Sequence, residues 1–140
     1  MLKHNEARAE VGLKPMIWDE GLAKDADVYA KYLAKNSLFN HDPRLGELKQ
    51  GENLWMGTRD AFGYAQMADG WISEKTMYID GVLPNVSKDG NWTTVGHYTQ
   101  IIWKSTTHVG CAVASDDRDD YLVCRYSPPG NYMGQHPIKN

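Results

Sequence analysis

The sequence predicts an α+β protein: a three-layer α/β/α sandwich around a mostly antiparallel sheet. Two observations carry that expectation. Residues 109–126, "VGCAVASDDRDDYLVCRY", read as two alternating strands around a charged turn. One face of that hairpin carries Val109, Val113, Leu122 and Tyr126 with the cysteines; the other carries Gly110, Ala112, Ala114, Tyr121, Val123 and Arg125. Both faces are apolar or small, so neither suits solvent, and helices on both sides are the economical cover. The second observation is that three separate stretches before the hairpin read as helices. With 140 residues, 41% of them hydrophobic and 24% charged, the chain is read as one globular domain, 1–140.

The first element is a short helix over "LKHNEARAEV", ending at Gly12, with Pro15 breaking the path. Asp19 is placed to N-cap "EGLAKDADVYAKYLAK", whose Leu22, Ala26, Tyr29, Ala30 and Leu33 share one face at helical spacing. Pro and Gly punctuation makes "NSLFNHDPRLGELKQGENLWMGT" read as irregular. A third helix, roughly "DAFGYAQMADGWISEK", aligns Tyr64, Ala68, Trp71, Ile72 and Lys75. "DGVLPNVSKDGNW" is a loop, and "HYTQIIW" is too short for periodicity to separate helix from strand. "SPPGNYMGQHPIKN" is an extended tail after the hairpin.

With the turn centred on Asp117–Arg118, the hairpin pairs Val109 with Tyr126, Cys111 with Cys124, Val113 with Leu122 and Ser115 with Asp120. A directly opposed pair has the Cα spacing of a disulfide. Such a bridge closes a loop of roughly 14 residues, worth on the order of 3 kcal/mol in the chain-entropy model. The alternative is two buried free thiols; the register favours the bridge, and with it an oxidising compartment. The net charge of −3, with no basic stripe, gives no case for nucleic acid. No apolar run approaches a membrane span. "MLKHNEARAE" lacks the apolar core of a signal peptide, which is read as already removed.

Four polar residues stand in apolar company: His41 after "SLFN", Glu52 in "GEN", Glu74 after "WIS" and His97 after "VG". Two imidazoles with two carboxylates suit a metal site whose histidines are oriented through their second nitrogen. They equally suit a Glu/His proton relay. No HExxH-type spacing joins them, and four separate hydrogen-bonded or exposed residues remain an open reading.

The same residues carry a family pattern. "GHYTQIIWKST" (96–106) and "YLVCRYSPPGN" (121–131), with "HNEAR" (4–8) and "GEN" (51–53) in order, make the chain resemble the CAP superfamily. That superfamily comprises cysteine-rich secretory proteins, antigen-five allergens and pathogenesis-related class-one proteins. The resemblance implies an α/β/α sandwich and a cleft holding two His and two Glu, here His41, His97, Glu52 and Glu74. It implies Zn2+ or another divalent cation bound chiefly by His41 and His97, and a secreted (extracellular or periplasmic) location. Three functions follow as expectations. The first is a non-catalytic, metal-binding module, with an extracellular protein or glycan as further partner. The second is a metal- or Glu/His-assisted hydrolase using Glu52 and Glu74, although no nucleophile or oxyanion motif is identifiable. The third is sterol or lipid binding through a loop containing Met77, Tyr78, Ile79 and Leu83. Gln100 is expected to orient His97 by a hydrogen bond. His4 is expected to tie the first helix to the fold, Trp71 and Trp103 to be core, and Gly130 and Asn131 to shape the closing turn. His108 is read as an exposed edge residue, and His136 is given no role.

Overall fold

A computed structural model describes residues 1–140. Helix α1 (Leu2–Glu10) leads through a two-residue strand β1 (Ile17–Trp18) to α2 (Glu20–Asn36), then α3 (Leu45–Leu48) and β2 (Gly51–Thr58). Helix α4 (Tyr64–Ile72) runs into a 3-10 turn at Ser73–Thr76, a second such turn lies at Trp92–Val95, and α5 (Gly96–Ile101) follows. The hairpin strands β3 (His108–Ser115) and β4 (Asp119–Ser127) complete the fold.

The sheet order is β1-β3-β4-β2, parallel only between β1 and β3. The hairpin register is the expected one, with Cys111 opposite Cys124, their Cα atoms 4.1 Å apart and a disulfide between them. Val109, Leu122, Cys124 and Tyr126 pack with Met67, Trp71, Tyr98, Ile101 and Ile102 from α4 and the α5 region. On the opposite face Tyr121 and Val123 meet Ala26, Tyr29, Ala30 and Leu33 of α2. These are the three layers, and each face of the hairpin has its own core.

Helix α2 starts where Asp19 accepts a hydrogen bond from the Leu22 N–H at 2.9 Å. Its small residues bring it so close to β3 that a Cβ at Gly110 would lie 2.2 Å from the Ala23 nitrogen. Glycine is required there by close approach. Full burial of Leu33 contributes about 1.5–3 kcal/mol to this layer.

Two segments differ from the sequence reading. The stretch read as irregular contains β2, an eight-residue strand pairing with β4 from Gly51–Tyr126 to Thr58–Asp119. Its first four residues are buried on both faces, so no polar/apolar alternation marks it. Helix α4 begins at Tyr64 and buries Met67, Ala68 and Trp71. Tyr64 is exposed, and Lys75 reaches outward to Glu10. "HYTQI" resolves as helix.

Candidate functional site

Strand β2 supplies the first half of the site. Glu52 lies opposite Arg125 in the β2–β4 register, and both side chains are fully buried. Arg125 donates from Nε to Glu52 Oε2 (2.8 Å), from Nη1 to Gln50 Oε1 (2.9 Å) and from Nη2 to Asp42 Oδ2 (2.8 Å). Its guanidinium lies 5.2 Å above the centre of the Tyr29 ring. Burial opposes ionisation of Asp42, but hydrogen bonds from Arg44 and Arg125 outweigh it and hold the carboxyl down at about 2. Glu52 Oε1 accepts from His41 Nδ1 at 2.7 Å and from the Asp42 N–H at 3.1 Å. The Tyr29 hydroxyl pins the loop before His41 by donating to the Asn40 carbonyl. The imidazole itself is 60% exposed.

The second half is built from helices. His97, second residue of α5, stacks on Trp71 of α4 with ring centres 5.8 Å apart and planes 14° from parallel. Trp71 is fixed in turn, its Nε1–H donating to the Leu54 carbonyl at 3.0 Å. Glu74, in the 3-10 turn, accepts from His97 Nδ1 at 2.7 Å and from the Tyr98 N–H at 3.0 Å. Asn53 donates to the His97 carbonyl (3.1 Å) and to the Tyr126 hydroxyl (3.2 Å), which bonds His4 Nε2 at 2.6 Å. His4 therefore ties α1 to the sheet as expected. Burial, then the positive N-terminus and Arg8, pushes its pKa down to about 3, so the ring is neutral.

The "GEN" triplet serves both halves. Gly51 leaves room for Gln100, whose Oε1 would sit 2.1 Å from any Cβ there. Glu52 turns to the α2 face and holds His41, while Asn53 turns to the cysteine face and holds the His97 backbone.

His41, Glu52 and His97 line one cleft of about 240 Å³ with Asn53, Trp92 and Asn131. Glu74 supports His97 without lining the cleft. An ionised carboxylate only accepts, so each Nδ1 carries a proton, and in the neutral ring each Nε2 offers a lone pair. Neither Nε2 makes a hydrogen bond within the protein. No third His, Cys, Asp or Glu joins them in a metal-ligating set; a cation here would have only His41 and His97 as protein ligands, with its other positions open.

Gln100 does not orient His97. Its Nε2 donates to Thr106 Oγ1 (3.1 Å) and its Oε1 accepts from the Gly130 N–H (3.1 Å), because Gly51 and Gly130 open space on that side. It clamps the closing turn with Asn131, which bridges Thr99 and Gly96. Trp103 is core, whereas Trp71 is core and a stacking platform together. His108 starts β3, half-buried, with Thr107 Oγ1 on its Nδ1 at 2.7 Å. His136, given no role from sequence, pairs with Asp80 at 2.9 Å. In the apolar loop, Leu83 is buried and Met77 and Tyr78 pack against it; Ile79 and Val82 alone stay exposed. Sequence reasoning missed Arg125 as the anchor of Glu52. The two become visible as partners only once residues 51–58 are recognised as a strand.

Comparison with known proteins agrees with this architecture. The family model for the cysteine-rich secretory protein family, CAP, matches residues 1–126. Pathogenesis-related protein PR-1 of Medicago truncatula is 39% identical over 139 residues, covering 98% of this chain and 76% of that protein. Mouse cysteine-rich secretory protein 3 is 36% identical, covering 98% of this chain and 58% of its own. Among solved structures, NaASP2 crystallised with Zn2+ superposes with a TM-score of 0.78 at 28% identity, over 96% of this chain and 80% of that one. No helix here is long and apolar enough to cross a membrane. With its sandwich, its disulfide-bridged hairpin and its paired His/Glu cleft, the chain belongs to the cysteine-rich secretory protein (CAP) family.

Proposed function

We propose that this secreted CAP-domain protein is a non-catalytic binding module whose cleft takes a zinc-type divalent cation on His41 and His97. The observation that carries the reading is the matched pair of 2.7 Å Nδ1–carboxylate bonds, which leave the Nε2 atoms of two histidines lining one cleft without a protein partner. The Zn2+ present with NaASP2 supports it by analogy. Water would complete the coordination, which suits modest, reversible binding open to a further extracellular ligand.

The carboxylates argue against the hydrolase reading. Glu52 is committed to Arg125, His41 and the Asp42 amide, and Glu74 to His97 and the Tyr98 amide. Both oxygens of each carboxylate are therefore already taken by protein donors, and Glu74 does not line the cleft, which leaves no free carboxylate oxygen placed to take a proton from a bound water. The lipid reading retains only Ile79 and Val82 as exposed apolar surface on its loop.

Isothermal titration with zinc tests the proposal on wild type and the His41→Ala/His97→Ala variant. Saturable heat is expected from the first and none from the second. Equal heats would remove the site.

A further inference from the structure

The protein buries two arginines, and they are treated differently. Arg125 faces two carboxylates. Arg8, 2% exposed, faces none: its Nε donates to the Lys14 carbonyl (2.8 Å) and its Nη1 to the Ile101 and Trp103 carbonyls (2.9 and 2.8 Å). Its Nη2 makes a single long bond, 3.5 Å to the Lys104 carbonyl, and its other N–H has no protein partner. Burial without a counter-charge pulls the guanidinium pKa down to about 10.

Arg8 lines a cavity of about 390 Å³ together with Lys14, Pro15, Ile17, Lys104 and Thr107. Neither lysine is in an ion pair with a carboxylate, a state they share with most lysines of the chain; what sets them apart is their place beside the buried guanidinium. No Asp or Glu lines this cavity, although the chain carries 18 acidic residues against 15 basic ones. Thr107 Oγ1 is already used by His108 and the Ser127 carbonyl. The donors left over are two ammonium groups and one guanidinium N–H.

We infer that this cavity, separate from the His/Glu cleft, binds a tetrahedral oxyanion, a phosphate or sulfate group, through Lys14, Lys104 and Arg8 Nη2. Such a group supplies the negative charge the buried guanidinium lacks, and it can accept three charge-assisted hydrogen bonds at once. Lys14 and Lys104 are exposed residues of the cavity lining, while Arg8 is held by three carbonyls.

The test is titration of the full chain at low ionic strength with inorganic phosphate and with inorganic sulfate, followed by calorimetry and amide NMR. Saturable one-to-one binding is expected, with shifts confined to residues 8–17 and 104–107. Lys14→Gln/Lys104→Gln removes exposed charge only and should weaken binding by at least about tenfold. Lys24→Gln/Lys35→Gln, an equal change of net charge on α2, should leave it unaltered. Absence of saturation in wild type, or the same loss in both double variants, overturns the assignment. A phosphate monoester and a sulfated disaccharide form the second arm. Binding as tight as the free ion assigns a group carried on a larger molecule; exclusion of both, with the inorganic ion retained, assigns a free ion.

Discussion

The two histidines of the cleft are held at the same distance from a glutamate, yet their surroundings are built in opposite orders. In the His41 half the acid is the rigid member. Glu52 is fully buried in the sheet and locked by Arg125, while its imidazole stands 60% exposed on a loop. In the His97 half the imidazole is the rigid member, stacked on Trp71 and fixed in a helix, 34% exposed. Its glutamate rides on a short 3-10 turn and is itself 18% exposed. One half therefore couples the cleft to fold stability through a carboxylate, and the other positions a ring without placing a charge in the core.

The sharpest break of this comparison is Arg125→Met. It strips buried Glu52 of its guanidinium partner and leaves neighbouring Asp42 with Arg44 alone. Removing one member of such a buried network costs about 3–5 kcal/mol. Urea unfolding should show that loss. A change under about 1 kcal/mol would mean the sheet side of the cleft does not depend on the ion pairs.

That asymmetry also explains what was legible beforehand. The hairpin announced its register and disulfide because alternation and two cysteines were symmetric about one turn. Asp19 and the Leu22–Leu33 stripe announced α2. The four site residues were picked out as polar residues in apolar company, but their convergence came from the family resemblance, since contacts across 11 and 23 positions carry no local signal. The carboxylate partners were illegible for a physical reason. Glu52–Arg125 is a cross-strand pair 73 residues apart, on a strand whose double-sided burial erased its period. Gln100, expected to reach His97, instead bonds Thr106 and Gly130, because the space left at Gly51 and Gly130 decides where its amide goes.

Acid should separate the halves next. The unfolded chain protonates His4 in the ordinary imidazole range, near pH 6.5, whereas the folded chain resists until about 3. The contribution is thus full above that range and is lost as pH falls toward 3, up to about 5 kcal/mol in total. His4 reaches the His97 carbonyl through Tyr126 and Asn53, and its Nδ1 has no partner to receive a second proton. The His41 side is braced by Asp42, which stays ionised down to about 2. Hydrogen exchange at falling pH should open the amides of Asn53 and Tyr98 before that of Asp42. In His4→Asn the pH dependence should flatten. An unchanged slope in that variant would detach His4 from acid sensitivity.

The smallest effect on the fold, and the most informative one for the cleft, is Glu74→Gln. Glu74 offers an oxygen to each of two donors, the His97 Nδ1–H and the Tyr98 N–H. A glutamine has one oxygen to give. If it goes to Tyr98, the amide N–H faces Nδ1, which must become the acceptor, and the ring proton moves to Nε2, where it blocks a metal lone pair. If it goes to His97, the amide opposes the Tyr98 N–H at the start of α5. Loss of such an orienting partner typically costs about 10- to 100-fold in metal affinity. Because Glu74 is partly exposed and faces no buried cation, the thermal midpoint should move little. Glu52→Gln makes the contrast: there the amide meets Arg125 Nε in the sealed interior, so stability falls together with zinc affinity. Zinc calorimetry beside thermal unfolding on the two variants reads both quantities. Should Glu74→Gln lower stability as much as Glu52→Gln, the two glutamates would share one structural role, and the division of the cleft into an acid-anchored and a ring-anchored half would fail.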